Sequence, residues 1–173
     1  MKIRTYELLE DLHGKFGAQE FGKICQKLLA IAFQKAGYKH IVERGVQGVD
    51  IDAAKNNEEK YAIEVKTTTK DTVKFGIKDK ESLQERAKDG YKPILAILHL
   101  AILSEWYFVK ADKIKPKTNL SIVLLRPYRL RDLEESISPF FNEAVEEHFE
   151  GTKMMGQEYL NSVLKRKGIE IED

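Results

Sequence analysis

With 173 residues, 42% of them hydrophobic and 33% charged, the chain is long enough for one domain with a substantial core and a densely ionic surface. A formal net charge of only +1 excludes a uniformly basic nucleic-acid binder, so any basic face must be local. A single cysteine, Cys25, excludes an intrachain disulfide and fits a reducing, cytoplasmic setting.

Residues 4–12 read as a short helix, and Gly14 and Gly17 interrupt the pattern. A longer helix is predicted over residues 18–35, with Phe21, Ile24, Cys25, Leu28, Leu29, Ala32 and Phe33 at helical spacing and Gly37 as its stop. Cys25 reads there as a small buried hydrophobe. Residues 39–43 suit a first strand, and Gly45 and Gly48 mark the turn into an acidic second one. Residues 55–60 can close a hairpin onto a third strand ending in threonines. A lysine-rich stretch over 70–80 leads to a helix capped at Asp79 or Ser82 and running to about Lys88. The apolar run 93–100 reads as a strand covered on both faces, followed by strands at 106–109 and 120–125. Residues 130–150 are helical and acidic with a break near Pro139, 151–155 a loop, and 156–167 a last helix ending at Gly168. The implied division is an α/β core over 1–126 and a helical C-terminal extension over 127–173 packed on it. No apolar signal core opens the chain, and the apolar run 93–103 is too short to span a bilayer, so no membrane partner is expected.

Alternation along the strands puts Asp50 and Asp52 on one face, and likewise Glu64 and Lys66. Val49, Ile51 and Ala53, with Tyr61, Ile63 and Val65, take the opposite faces. A hairpin then brings carboxylates side by side next to an ammonium. Such crowding is unfavourable by several kcal/mol unless a cation sits among the acids. A divalent metal with oxygen ligands answers this, and Mg²⁺ suits a short ligand list completed by water. Asp50, Glu64 and the Val65 carbonyl are the candidate ligands, with Glu20 and Asp52 as further ones. Lys66 stands where it can orient or deprotonate a water. The four histidines are scattered without metal-site spacing, and no Gly-rich phosphate loop is present.

The order Glu20, Gly48-Val49-Asp50, then Glu64-Val65-Lys66 after thirteen intervening residues resembles the PD-(D/E)xK nuclease superfamily. Over about residues 17–110 the pattern is most similar to archaeal-type Holliday-junction resolvases, although Val49 stands where those usually carry proline. The resemblance implies a restriction-endonuclease-like fold, a mixed central sheet flanked by helices. It implies a metal-dependent endodeoxyribonuclease with Asp50, Glu64, Lys66 and the helix acid Glu20 as its catalytic set. Mg²⁺, replaceable by Mn²⁺, would be the cofactor and branched or double-stranded DNA the substrate. A homodimer is expected because two strands are cut and because residues 106–109 and the last helices offer apolar surface. Restriction and repair nucleases share the core, and a catalytically silent nucleic-acid-binding or assembly subunit is the alternative from another class.

Lys70, Lys74, Lys78 and Lys80 form a candidate phosphate-binding rim, with Gln84 and Lys88 one helical turn apart behind it. Each is equally compatible with a solvated face. Arg126, Arg129 and Arg131 balance Asp132, Glu134 and Glu135, Trp106 and Tyr107 suit packing better than base stacking, and the acidic stretch 134–150 could dock a protein partner.

Overall fold

A computed structural model describes residues 1–101 and 105–173. The tail of the apolar run, at 102–104, lies outside the described residues. The chain runs α1 (Ile3–Lys35), β1 (His40–Arg44), β2 (Ile51–Ala54), β3 (Lys60–Thr68), β4 (Thr72–Phe75), α2 (Ile77–Lys88), β5 (Lys92–His99), β6 (Trp106–Lys110), β7 (Lys117–Ser121), α3 (Arg131–Met155), α4 (Gln157–Arg166) and β8 (Glu170–Glu172). Six strands form one mixed sheet in the order β6-β5-β3-β2-β1-β8. The β3–β5 and β1–β8 pairs are parallel and the rest antiparallel. This is the α/β class expected from the sequence, a mixed central sheet flanked by helices.

Two apolar cores lie on the two faces of the sheet. On one, Ile41, Ile51, Ala53, Ile63, Ile94, Ala96, Leu98 and Phe108 pack with α1, α3 and α4. On the other, Ala62, Leu95, Ile97 and Val109 pack with Leu83 of α2 and with Val73, Phe75 and Leu120 of a separate β4–β7 ribbon. The C-terminal half of α1 is buried all round, from Ile24 to Phe33, because sheet and C-terminal helices enclose it from both sides. No helix among the described residues is long and apolar enough to cross a membrane.

Several local expectations change. The first two helices are one run bent at Gly17, whose φ of 76° only glycine adopts readily, while Gly14 stays helical. α3 passes through Pro139 unbroken. A proline inside a helix costs about 3 kcal/mol, but Ile137, Phe141, Ala144 and Val145 are all buried around it, and their burial outweighs that loss. Residues 151–155 are the last turn of α3 rather than a loop. The strand expected at 120–125 lies at Lys117–Ser121, held there by pairing with β4, and a 3-10 segment, Val123–Tyr128, follows it. The cap of α2 is Gly76, and Asp79 Oδ2 reaches back to accept its N–H at 2.7 Å. Trp106, Phe108 and Val109, expected to offer surface to a second copy, are buried within the chain, Trp106 edge-on against Phe141. Strands β4 and β8 were not foreseen.

Gly151 shows how tightly the C-terminal helices meet. A Cβ added there would collide with the ring of Tyr159 from α4. Gly151→Ala should therefore destabilise by about 1–3 kcal/mol through overpacking, despite the ~1 kcal/mol that alanine gains in a helix. Urea denaturation reads the difference, and a stabilised variant would show that α4 yields without cost.

Candidate active site

The β2–β3 ladder pairs Asp52 with Ala62 and ends at Ile51 opposite Ile63, so Asp50 and Glu64 each lie one residue beyond it. Asp50 occupies the bend where the chain enters β2. Its Oδ2 accepts the Val65 N–H at 2.8 Å, a bond that β2 would otherwise have provided. Because a strand residue's N–H and C=O point to the same neighbour, the Val65 carbonyl faces the gap beside Asp50 as well. Lys23 of α1 approaches Asp50 Oδ1 to 3.6 Å.

Glu64 is buried, and its Oε1 accepts from Lys66 Nζ at 2.7 Å. Lys66 Nζ also lies 3.1 Å from Asp79 Oδ2 at the start of α2. Two carboxylates, one at the entry to β2 and one on β3, a lysine, and a third carboxylate from the next helix thus share one corner, where β2 and α2 both begin.

Electrostatics there are strained. Burial, then the charge of Asp50, pushes the Glu64 carboxyl up to about 8, against the opposing pull of Lys66. Asp50 is raised too, chiefly by burial, with the Val65 N–H, Lys23 and Lys66 opposing. Burial works to lower Lys66, but Glu64 and Asp79 outweigh it and leave the ammonium raised above its ordinary value. Two acids that resist ionising side by side make a donor set that a hard cation would relieve. They fit an ion held by few carboxylates and several waters. A set of three or more His, Cys, Asp or Glu side chains fit for metal is absent among the described residues.

Asp52 does not join this corner, contrary to the expected shared face. The alternation breaks at the Asp50 bend: Val49 packs on the α2 side, Ile51 and Ala53 on the α1 side. Asp52, 1% exposed, is held by Arg44 Nη2 and Arg86 Nη2, each at 2.8 Å. Arg86 in turn stacks over Tyr91 at 4.2 Å. Glu20 turns to the C-terminal helices, its Oε2 accepting from Gln157 Nε2 at 2.7 Å. Among the described residues it has no hydrogen bond to Asp50, Glu64 or Lys66.

The expected rim divides. Lys74 and Lys78 line a groove with Lys66 and Asp79, joined by Lys117 from β7. Lys70 is exposed next to it in sequence. Lys80 Nζ instead donates to the carbonyls of Ala111, Asp112 and Ile114, so its charge closes a 3-10 turn. Gln84 is exposed further along α2, and Lys88, at the far end of α2, pairs with Glu85 at 2.8 Å. Arg129 grips Glu134 with two nitrogens, at 2.8 and 2.6 Å, the balancing role its cluster suggested.

Reading the sequence missed three members. Lys23 shares a helix face with Glu20 and Lys27, a spacing that could have flagged it. Asp79 was legible only as a cap. Lys117 carried no signal, because the ribbon that delivers it was unseen.

The fold, a mixed sheet flanked by helices, is similar to that of a solved junction resolvase. The Holliday junction resolvase Hjc from Archaeoglobus fulgidus superposes with a TM-score of 0.50 and 19% identity, covering 62% of this chain and 89% of that one. Residues 23–100 match the family model described as Protein NO VEIN, C-terminal, a span holding Asp50, Glu64, Lys66 and Asp79. Among curated proteins nothing matches the chain.

Proposed function

We propose that the protein is a divalent-metal-dependent endodeoxyribonuclease acting on branched or double-stranded DNA. One observation carries this reading: Asp50, pinned on the Val65 N–H, stands close enough to buried Glu64 for its charge to raise that carboxyl, which also accepts from Lys66. The fold shared with a junction resolvase supports it. Asp50, Glu64 and the Val65 carbonyl would hold Mg²⁺ or Mn²⁺. A cation there supplies charge relief on the phosphate and a more acidic bound water.

The chain's own groups do the rest. Lys66, kept protonated by its carboxylate neighbours, acts as a charged hydrogen-bond donor to a phosphate oxygen or the attacking water, rather than as a base. Lys70, Lys74, Lys78, Lys115 and Lys117 are exposed, and none joins an ion pair among the described residues. On a chain of net charge +1, Lys74, Lys78 and Lys117 concentrate positive charge along the groove, where they would displace the counterions of a phosphate backbone. Glu20 would act through its contact with α4 or on a second ion. Two copies would present two such sites to two strands.

A second reading, a nucleic-acid-binding subunit without catalysis, draws on the absence, among the described residues, of a group of three side chains fit to hold a metal, and on the capture of Glu20 by Gln157. Cleavage of plasmid and of four-way-junction DNA in Mg²⁺ or Mn²⁺ separates the readings. The nuclease reading expects cutting that Lys66→Ala lowers by about 10²–10³-fold. Paired symmetric nicks on the junction would mark a resolvase, and discrete linear plasmid fragments a restriction-type enzyme. Gel shifts without cuts in either metal would leave only the binding subunit.

A further inference from the structure

We propose that Asp79 is a positioning residue of this site: it keeps the Lys66 ammonium in place when Glu64 turns to a divalent cation. The inference rests on the nuclease reading above and adds a residue that its motif does not contain.

Among the described residues, Lys66 has two carboxylate partners, Glu64 Oε1 at 2.7 Å and Asp79 Oδ2 at 3.1 Å. The first would be lost when a cation is bound. A carboxylate oxygen drawn to a divalent ion no longer neutralises the lysine, and the ion repels the ammonium. Lysine is a point charge on a flexible four-carbon stem, so it would swing toward solvent if nothing else held it. Its side chain is already 25% exposed.

Asp79 is placed to prevent this. It belongs to α2, not to the β2–β3 pair, so metal binding need not move it. The same Oδ2 accepts the Gly76 N–H at 2.7 Å, which fixes the carboxylate at the third position of the helix. A negative charge there is also favoured by the helix N-terminus. The anchor is therefore part of the local fold and present before any substrate arrives.

Three roles are open to such a residue: cap, ligand or anchor. Asp79→Asn tells them apart because asparagine retains an oxygen for the Gly76 N–H while losing the charge. If Asp79 is the anchor, kcat on a DNA substrate falls about 10–100-fold through misplacement of one group. KM and the Mn²⁺ dissociation constant stay within about twofold, and Asp79→Glu, which can still reach back to the helix N-terminus, recovers most of the loss. An unchanged kcat would reduce Asp79 to a cap, and Mn²⁺ binding that weakens in step with kcat would make it a ligand; either overturns the proposal. A second readout needs no cleavage: the NMR order parameter of the Lys66 ε-methylene in Mg²⁺-loaded protein. It should drop in Asp79→Asn and hold steady in the metal-free variant, where Glu64 remains a partner. A wild type that binds Mg²⁺ but cuts nothing would sink the nuclease reading and leave the anchor to this measurement, in which an unchanged order parameter contradicts it. A wild type that binds no divalent cation overturns both.

Discussion

Glu64→Gln should abolish divalent-metal binding and DNA cleavage, each by at least about 10²–10³-fold, while making the metal-free protein more stable at pH 8. The two effects share one cause. Folding buries the Glu64 carboxyl beside Asp50 and pushes it up to about 8 from an ordinary value of 4.5. Between these values the folded protein holds a proton that the unfolded chain has released. Stability is therefore full below about pH 4.5 and declines as pH rises toward about 8. Glutamine, uncharged at every pH, removes this slope. The same proton must leave before a cation can bind, so metal affinity should rise by up to about tenfold per pH unit over that window. Urea denaturation and calorimetric metal titration at pH 5, 6, 7 and 8, with and without the substitution, check both halves. A variant that loses stability at pH 8 and still binds Mn²⁺ would show that Glu64 is an ordinary ion-pair partner of Lys66.

Glu43→Ala should cost about 3–5 kcal/mol of folding stability. Glu43 lies on the α1 side of β1, fully buried, and accepts from Lys27 Nζ at 2.8 Å and from Gln26 Nε2 at 2.7 Å. Lys27 is only 4% exposed, because α1 is enclosed at that point. Without Glu43 the ammonium must be buried unpaired or pulled out through the packing. Exchanging Lys27 for Met in the same protein should restore most of the loss, since the penalty belongs to the stranded charge rather than to the missing bond. Urea midpoints with unchanged slope are the readout. A loss below about 1 kcal/mol would mean that Lys27 reaches water, as surface pairs do.

The site was legible where it depends on near neighbours in sequence. Asp50, Glu64, Val65 and Lys66 lie within one hairpin, and strand alternation with a short turn is enough to bring them together. Alternation failed one residue too early, at the bend, and so gave Asp52 the same direction as Asp50. Its partners, Arg44 and Arg86, come from β1 and α2, and no local rule announces them. Asp79 and Lys117 reach the groove only because β4 pairs with a segment more than forty residues later, a non-local contact with no period in the sequence. Pro139 and Gly151 were read by local rules that tertiary packing overrode. The last strand, Glu170–Glu172, is three residues long and gains its place by pairing parallel to β1 beyond α4, so nothing in its own sequence marks it.

The account stands on where a cation settles. Anomalous diffraction from crystals soaked in Mn²⁺ should show a peak between the Asp50 and Glu64 carboxylates, with Lys66 still on Asp79. A saturating soak that leaves this corner empty, or a peak found only at Asp52 or Glu20, would contradict it.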